Sequence, residues 1–212
     1  MPNTSALLAG TKEKIIEGSR ELFFRDGMKS ITMDDIASHL GISKKTIYQF
    51  HADKDALIYE VTKLQLEQQE IEMIAVRKQS KDPVEEILLA MTSMSKMMSA
   101  ISPTVFYDLQ KYYRNSWKRF QDFKNKQIVN YVEENMKSGI KSGLYRSDIP
   151  VKILSRLRLE QIELGYNPTI YPPTQFNITE VQVALMDHFL HGIVTIKGHR
   201  LINKYKQIQE EE

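Results

Sequence analysis

The chain has 212 residues, enough to bury a substantial core, and a net charge of only +2, so any nucleic-acid-binding surface must be local rather than global. The absence of cysteine excludes disulfides, thiolate metal sites and cysteine nucleophiles. No apolar run is long enough to span a bilayer, and Met1–Gly10 lacks the basic-then-apolar pattern of an export signal, so a soluble cytoplasmic chain with no membrane partner is expected. Glycine and proline are few and fall between periodic segments. In chain order, Ile15, Ile16, Leu22 and Phe23 form one apolar helix face that Gly27 ends. Thr32-Met33-Asp34-Asp35 reads as a capping box opening a short helix with Ile36, Ala37 and Leu40 inside. Gly41 stops that helix where a positive φ is needed. Ser43 caps a second short helix to about Phe50, and Asp53 caps a long one carrying Leu57, Val61, Leu64 and Ile71. Asp82-Pro83 and Ser102-Pro103 each start a further helix. A long segment then runs from about Ser116 to Ser142, closed by Gly143. Asp148 caps a helix to about Tyr166, Asn167–Phe176 is a proline-rich loop, and Asn177 with Glu180 caps the final helix. With no strand alternation anywhere, the expectation is an all-α fold of about nine helices.

Thr32–Leu57 carries the sharpest signal. Two short capped helices meet at a tight Gly41-Ile42-Ser43 turn, with the small Ala37 where they cross and Ile42 as a plug beneath. This is the construction of a helix-turn-helix. The second helix offers Lys44, Lys45, Thr46, Tyr48 and Gln49 on its outer side, while Ile47 points inward. Lysines suit phosphates or guanine edges, and Gln49 suits a base edge. The hydroxyls of Thr46 and Tyr48 suit phosphate positioning. Residues 11–54 hold eight Lys/Arg against seven Asp/Glu, so it is the ordering of positions, and not bulk charge, that points to DNA.

The run Ile16…Leu22-Phe23…Gly27…Ile31-Thr32…Ile36-Ala37…Leu40-Gly41-Ile42-Ser43-Lys44-Lys45-Thr46-Ile47-Tyr48…Lys54…Leu57 resembles the DNA-binding domain of the TetR family of repressors. The resemblance is close over about the first quarter of the chain. It implies a three-helix reading domain over 1–54 and a helical ligand-binding and dimerisation domain over 55–212. By position it places Thr32, Ser43, Lys44, Lys45, Thr46, Tyr48, Gln49 and Lys54 at double-stranded operator DNA. It further implies a homodimer released from DNA by a small-molecule effector; the alternative reading is a DNA-binding regulator without a small-molecule effector. This chain departs from the family in having Phe50-His51 where a Tyr or His then a Phe is usual, and Met1–Lys14 holds no arginine-rich arm.

Between Met91 and Phe123, methionines and aromatics are dense. The family resemblance implies a ligand pocket in this part of the chain, and Met94, Met98, Phe106, Tyr113, Trp117 and Phe120 are its expected wall, suited to a mostly apolar effector. Arg156, Glu160 and Glu163 on the following helix are candidate polar anchors. The final helix is apolar around most of its circumference and needs burial on two sides. Leu157, Val181, Leu185, Phe189 and Ile193 are therefore the expected dimer contacts. His188 and His191 stand three apart, but no third ligand has matching spacing, so no metal or cofactor is expected. No catalytic triad, phosphate loop or paired-carboxylate pattern is present, so no enzyme activity is expected.

Overall fold

A computed structural model describes residues 4–207, with side chains from Gly10 onward. The reading of Met1–Gly10 as free of an export signal falls largely outside the described side chains. Among the described residues there are eleven α-helices: α1 (Thr4–Asp26), α2 (Met33–Leu40), α3 (Lys44–Tyr48), α4 (Lys54–Gln79), α5 (Pro83–Ser99), α6 (Thr104–Tyr112), α7 (Arg114–Phe123), α8 (Val129–Lys141), α9 (Val151–Gly165), α10 (Ile178–Ile193) and α11 (Ile196–Lys206). A π-helical segment, Lys124–Ile128, joins α7 to α8 in one continuous run. The fold is all-α. Among the described residues, the one extended contact is an isolated antiparallel bridge between Tyr145 and Val194.

The chain forms two compact units that interleave along the sequence. The first takes the described residues up to Gln68 together with Ala100–Gln121; the second takes Gln69–Ser99 and the residues from Asp122 onward. In the first unit, Ile15, Phe23, Ile36, Ile47, Leu57 and Ile58 are buried in the core. Residues of α6 and α7 belong here because they hold the turn after α1. The Asp108 carboxylate accepts from the Lys29 amide at 2.9 Å, and the Tyr113 hydroxyl donates to the Met28 carbonyl at 3.2 Å. Division of the sequence at residue 54 follows chain order; these long-range bonds bring residues fifty positions later into the same unit.

The second unit is built on Val84, Met91, Met136, Tyr145, Phe189, Leu190, Ile193 and Ile202. Gly139 sits so close to the Tyr145 ring that an added Cβ would lie 2.1 Å from it. The Tyr145 hydroxyl donates to the Pro83 carbonyl and to Asn135 Oδ1, at 2.8 and 3.0 Å. Burying a phenol is tolerable when it is bonded in this way.

Three local expectations are revised. The final helix expected from Asn177 ends at Ile193, because Val194 turns extended to pair with Tyr145. Thr195 then caps a separate α11, its hydroxyl accepting from the Gly198 amide at 3.2 Å. Asp148 caps nothing: Pro150 pushes the residue before it out of helical conformation, so α9 starts at Val151. The segment expected from about Ser116 starts earlier, at Arg114, directly after Tyr113, whose backbone leaves the helical region and ends α6.

Candidate nucleic-acid interface

The reading head is assembled by three local devices. Thr32 and Asp35 close a reciprocal capping box: Thr32 Oγ1 accepts from the Asp35 amide at 3.2 Å, and Asp35 Oδ2 accepts from the Thr32 amide at 2.8 Å. The Thr32 bonds hold the exposed Asp35 carboxyl below its ordinary pKa. Gly41 ends α2 with φ 63°, and its neighbour Ile42 donates back to the Ala37 carbonyl at 3.0 Å. Ser43 caps α3, its hydroxyl accepting from the Thr46 amide at 3.0 Å and lying 2.8 Å from Thr46 Oγ1. Ile36 and Ile47 are fully buried and Ala37 nearly so, which fixes the two short helices against one another.

On the outer side of α3, Lys45, Tyr48 and Gln49 are exposed and Thr46 half-buried. These side chains lie within two helical turns and share a face with room for a partner. Lys44 is exposed but engaged: its ammonium donates to Asp34 Oδ2 at 2.7 Å, which raises its pKa. Lys54 is drawn inward. Its ammonium donates to the Lys29 carbonyl at 3.2 Å and stands 5.8 Å from the Tyr113 ring centroid. Burial lowers its pKa. His51 is buried among this unit's side chains, and its Nε2 finds no hydrogen-bond partner. Desolvation first, then the nearby Lys12 charge, pull its pKa down.

The other sequence-predicted positions fall as follows. Phe106, Tyr113, Trp117 and Phe120 lie in the first unit. Phe120 meets Phe106 and Trp117 at centroid distances of 5.9 and 5.2 Å. Met94 and Met98 lie on α5 in the second unit, Met94 half-buried and Met98 buried. Val181, Phe189 and Ile193 are buried within their own unit, Leu185 is half-buried, and Leu157 is exposed. Of the three candidate anchors after Phe123, Glu163 and Glu160 form ion pairs with the buried Lys124, and Arg156 donates to Asn125 at 3.1 Å. Arg158, which is not among those candidates, is 2% exposed in the second unit. The apolar periodicity of α9 gives no signal for it, since Ile153, Leu157 and Leu164 are on the exposed side.

Comparison with known proteins agrees with this geometry. Residues 15–61 match the model of bacterial regulatory proteins, tetR family. The chain is 25% identical over 165 residues to the uncharacterized HTH-type transcriptional regulator YvaF of Bacillus subtilis, covering 77% of this chain and 86% of that one. Among solved structures it resembles the Bacillus subtilis transcriptional regulator FadR in complex with stearoyl-CoA, with TM-score 0.66, 16% identity, and coverage of 85% and 98%. It also resembles a Saccharomonospora viridis protein solved in complex with choline, with TM-score 0.68, 17% identity, and coverage of 88% and 99%. At such identities the two structures speak for the shared fold. With the capped α2–turn–α3 unit lying inside the matched residues, residues 15–61 form a DNA-binding domain of the tetR-family type, and the chain as a whole is similar to HTH-type transcriptional regulators.

Proposed function

We propose that this regulator is a repressor that binds a pseudo-palindromic operator as a homodimer and is released by a small effector held in the second unit. The observation that carries the DNA reading is the exposed set of Lys45, Tyr48 and Gln49, with the half-buried Thr46 among them, on a helix whose other side is locked by Ile47 and by the Ser43 cap. Lys45 contacts phosphate or a guanine edge, Gln49 reads a base edge, and Thr46 and Tyr48 position the backbone. Thr32 and Ser43 serve mainly as caps that fix the approach, and Lys54 braces the turn after α1. Lys44 reaches DNA by exchanging its Asp34 partner.

The dimer reading rests on α9, where Ile153, Leu157 and Leu164 are exposed, and on Ala184, His188 and Gly192 along the exposed side of α10. Large apolar side chains in water at helical spacing favour a partner surface. A second copy with two-fold symmetry supplies one and sets the reading heads about 34–36 Å apart. Val181, Phe189 and Ile193 support this face from beneath, with Leu157 and Leu185 at it.

The effector reading is supported by fold neighbours solved with stearoyl-CoA and with choline, chemically unlike ligands on one architecture. Such variety means that effector choice belongs to each chain's own side chains. The test is a mobility-shift titration on the DNA upstream of the protein's own gene and its neighbours, over a salt series. Saturable binding of a fragment containing an inverted repeat, lost on scrambling either half, is the expected result. Binding indifferent to sequence at all salt concentrations refutes the operator reading.

A further inference from the structure

The second unit buries a positive charge that the protein leaves unanswered. Arg158 on α9 is 2% exposed, and neither of its terminal nitrogens, Nη1 or Nη2, has a hydrogen-bond partner. Desolvation lowers its pKa to about 10, which still leaves it cationic at neutral pH. Burial likewise raises the pKa of the neighbouring Tyr166 phenol, so it stays neutral and supplies no countercharge. A guanidinium in such surroundings is costly, because the interior returns none of the hydration it loses. Proteins retain a buried arginine of this kind where a planar oxyanion completes it with paired N–H···O bonds.

Two further buried polar groups of α9 and α10 lack partners in the same unit. Gln161 lies one turn further along α9, and Gln182 of α10 is fully buried. Gln182 Nε2 donates to the Ile162 carbonyl at 2.8 Å, which fixes the amide; its Oε1 and that of Gln161 are both buried without a partner. Gly165 lets the Gln182 amide approach, since a Cβ there would fall 2.3 Å from Nε2. Tyr166 donates to the sulfur of buried Met98 at 3.4 Å, so the patch borders one of the apolar residues expected to line the effector site.

We propose that Arg158 is the anion-binding residue of the effector site, and that the effector is a mostly apolar acid whose carboxylate engages the Arg158 guanidinium. The proposal rests on the reading of the second unit as the effector-binding part. The carboxylate accepts from Nη1 and Nη2, and the apolar remainder lies toward Met98. Sequence periodicity alone hides this, because an arginine on a helix is ordinarily read as solvated.

The experiment uses the full chain and its thermal unfolding, with sodium decanoate at submicellar concentration as the probe and 1-decanol as its uncharged counterpart. At about a hundredfold excess over Kd, decanoate is expected to raise the melting temperature of the wild type by roughly 5–10 °C. Decanol is expected to do far less. In Arg158→Met the stem is kept and the charge removed, so the free protein should melt at or above the wild-type temperature, and decanoate should act no more strongly than decanol. Equal shifts from decanoate and decanol, or no shift from decanoate, overturn the proposal. A free Arg158→Met protein that melts several degrees lower also overturns it, because the guanidinium is then already satisfied. If the decanoate shift appears but operator binding is unmoved by decanoate, the anion site stands and effector control of DNA release falls.

Discussion

Single residues on the reading head divide into those that hold it and those left to meet DNA. Lys45 has no role in the packing, so Lys45→Ala should leave the melting temperature unchanged. It should weaken operator binding and reduce the slope of log affinity against log salt by about 1, since one phosphate contact and its released counterion are lost. An unchanged slope in a salt-series titration would remove Lys45 from the interface. Asp34 holds the Lys44 ammonium at 2.7 Å, both side chains being exposed, so the pair adds little stability. Asp34→Asn frees Lys44 and removes a negative charge from the same surface, and should tighten DNA binding and steepen its salt dependence. Weaker binding in the same titration would contradict the exchange. His51 gives the head a pH response of defined sign. Its folded pKa lies below the ordinary value of 6.5, so the unfolded chain takes up the proton first as pH falls. The contribution of His51 to stability is complete above about pH 6.5 and declines below it, down through the folded pKa. His51→Phe should flatten that part of the profile of melting temperature between pH 7.5 and 5; an identical profile would show that His51 is not responsible.

Elements in this chain are set by caps and by the residues that stop helices. Gly41 sits at φ 63° with open space around the position of a Cβ, so Gly41→Ala meets strain and no clash. The expected cost is about 1 kcal/mol, a fall in melting temperature of roughly 2–4 °C for a chain of this size. Gly139→Ala differs in kind, because its methyl would be driven into the Tyr145 ring and the hydroxyl bonds of Tyr145 to Pro83 and Asn135 would shift with it. A loss of roughly 1–3 kcal/mol or more is expected there. Calorimetry of the two variants side by side checks the distinction: similar small losses would mean that the core yields around Gly139. Helix α11 shows how an element escapes sequence reading. Thr195 is a clear cap in retrospect, but the apolar run through Val194 and Ile196 continues the periodicity of α10, and only the pairing of Val194 with Tyr145 breaks it.

At the scale of the whole molecule, assembly and DNA recognition are linked by mass action. A dimer reads two half-sites, and a monomer reads one. Leu157 is 49% exposed on α9, so Leu157→Glu should leave the fold intact while placing a charge in the proposed interface. Sedimentation should then show a folded monomer at concentrations where the wild type is dimeric, and operator affinity should fall with it. A variant that remains dimeric with unchanged affinity would move the interface off α9. Phe189→Glu is a poorer test, since Phe189 lies within the core of its own unit and the charge would unfold that core in any assembly state.

Features that depend on neighbours a few positions away are legible in the residues alone. The Thr32–Asp35 box, the Gly41 stop, the Ser43 and Asp53 caps and the outward set of Lys45, Tyr48 and Gln49 all follow from hydrogen bonds and φ preferences that span no more than one turn. For that reason the helix-turn-helix was legible residue by residue, and with it the family. Tertiary structure alone decided whatever depends on a partner far along the chain. Lys54 turns inward because the Lys29 carbonyl and the Tyr113 ring are there to receive it. Phe189 and Ile193 are interior because Tyr145, Met136 and Ile202 arrive to cover them. Arg158 becomes a buried, unanswered charge only once α9 has folded inward with Tyr166 beside it. Periodicity marks which side of a helix is apolar, but the solvation of one charged residue is fixed by every element that closes over it.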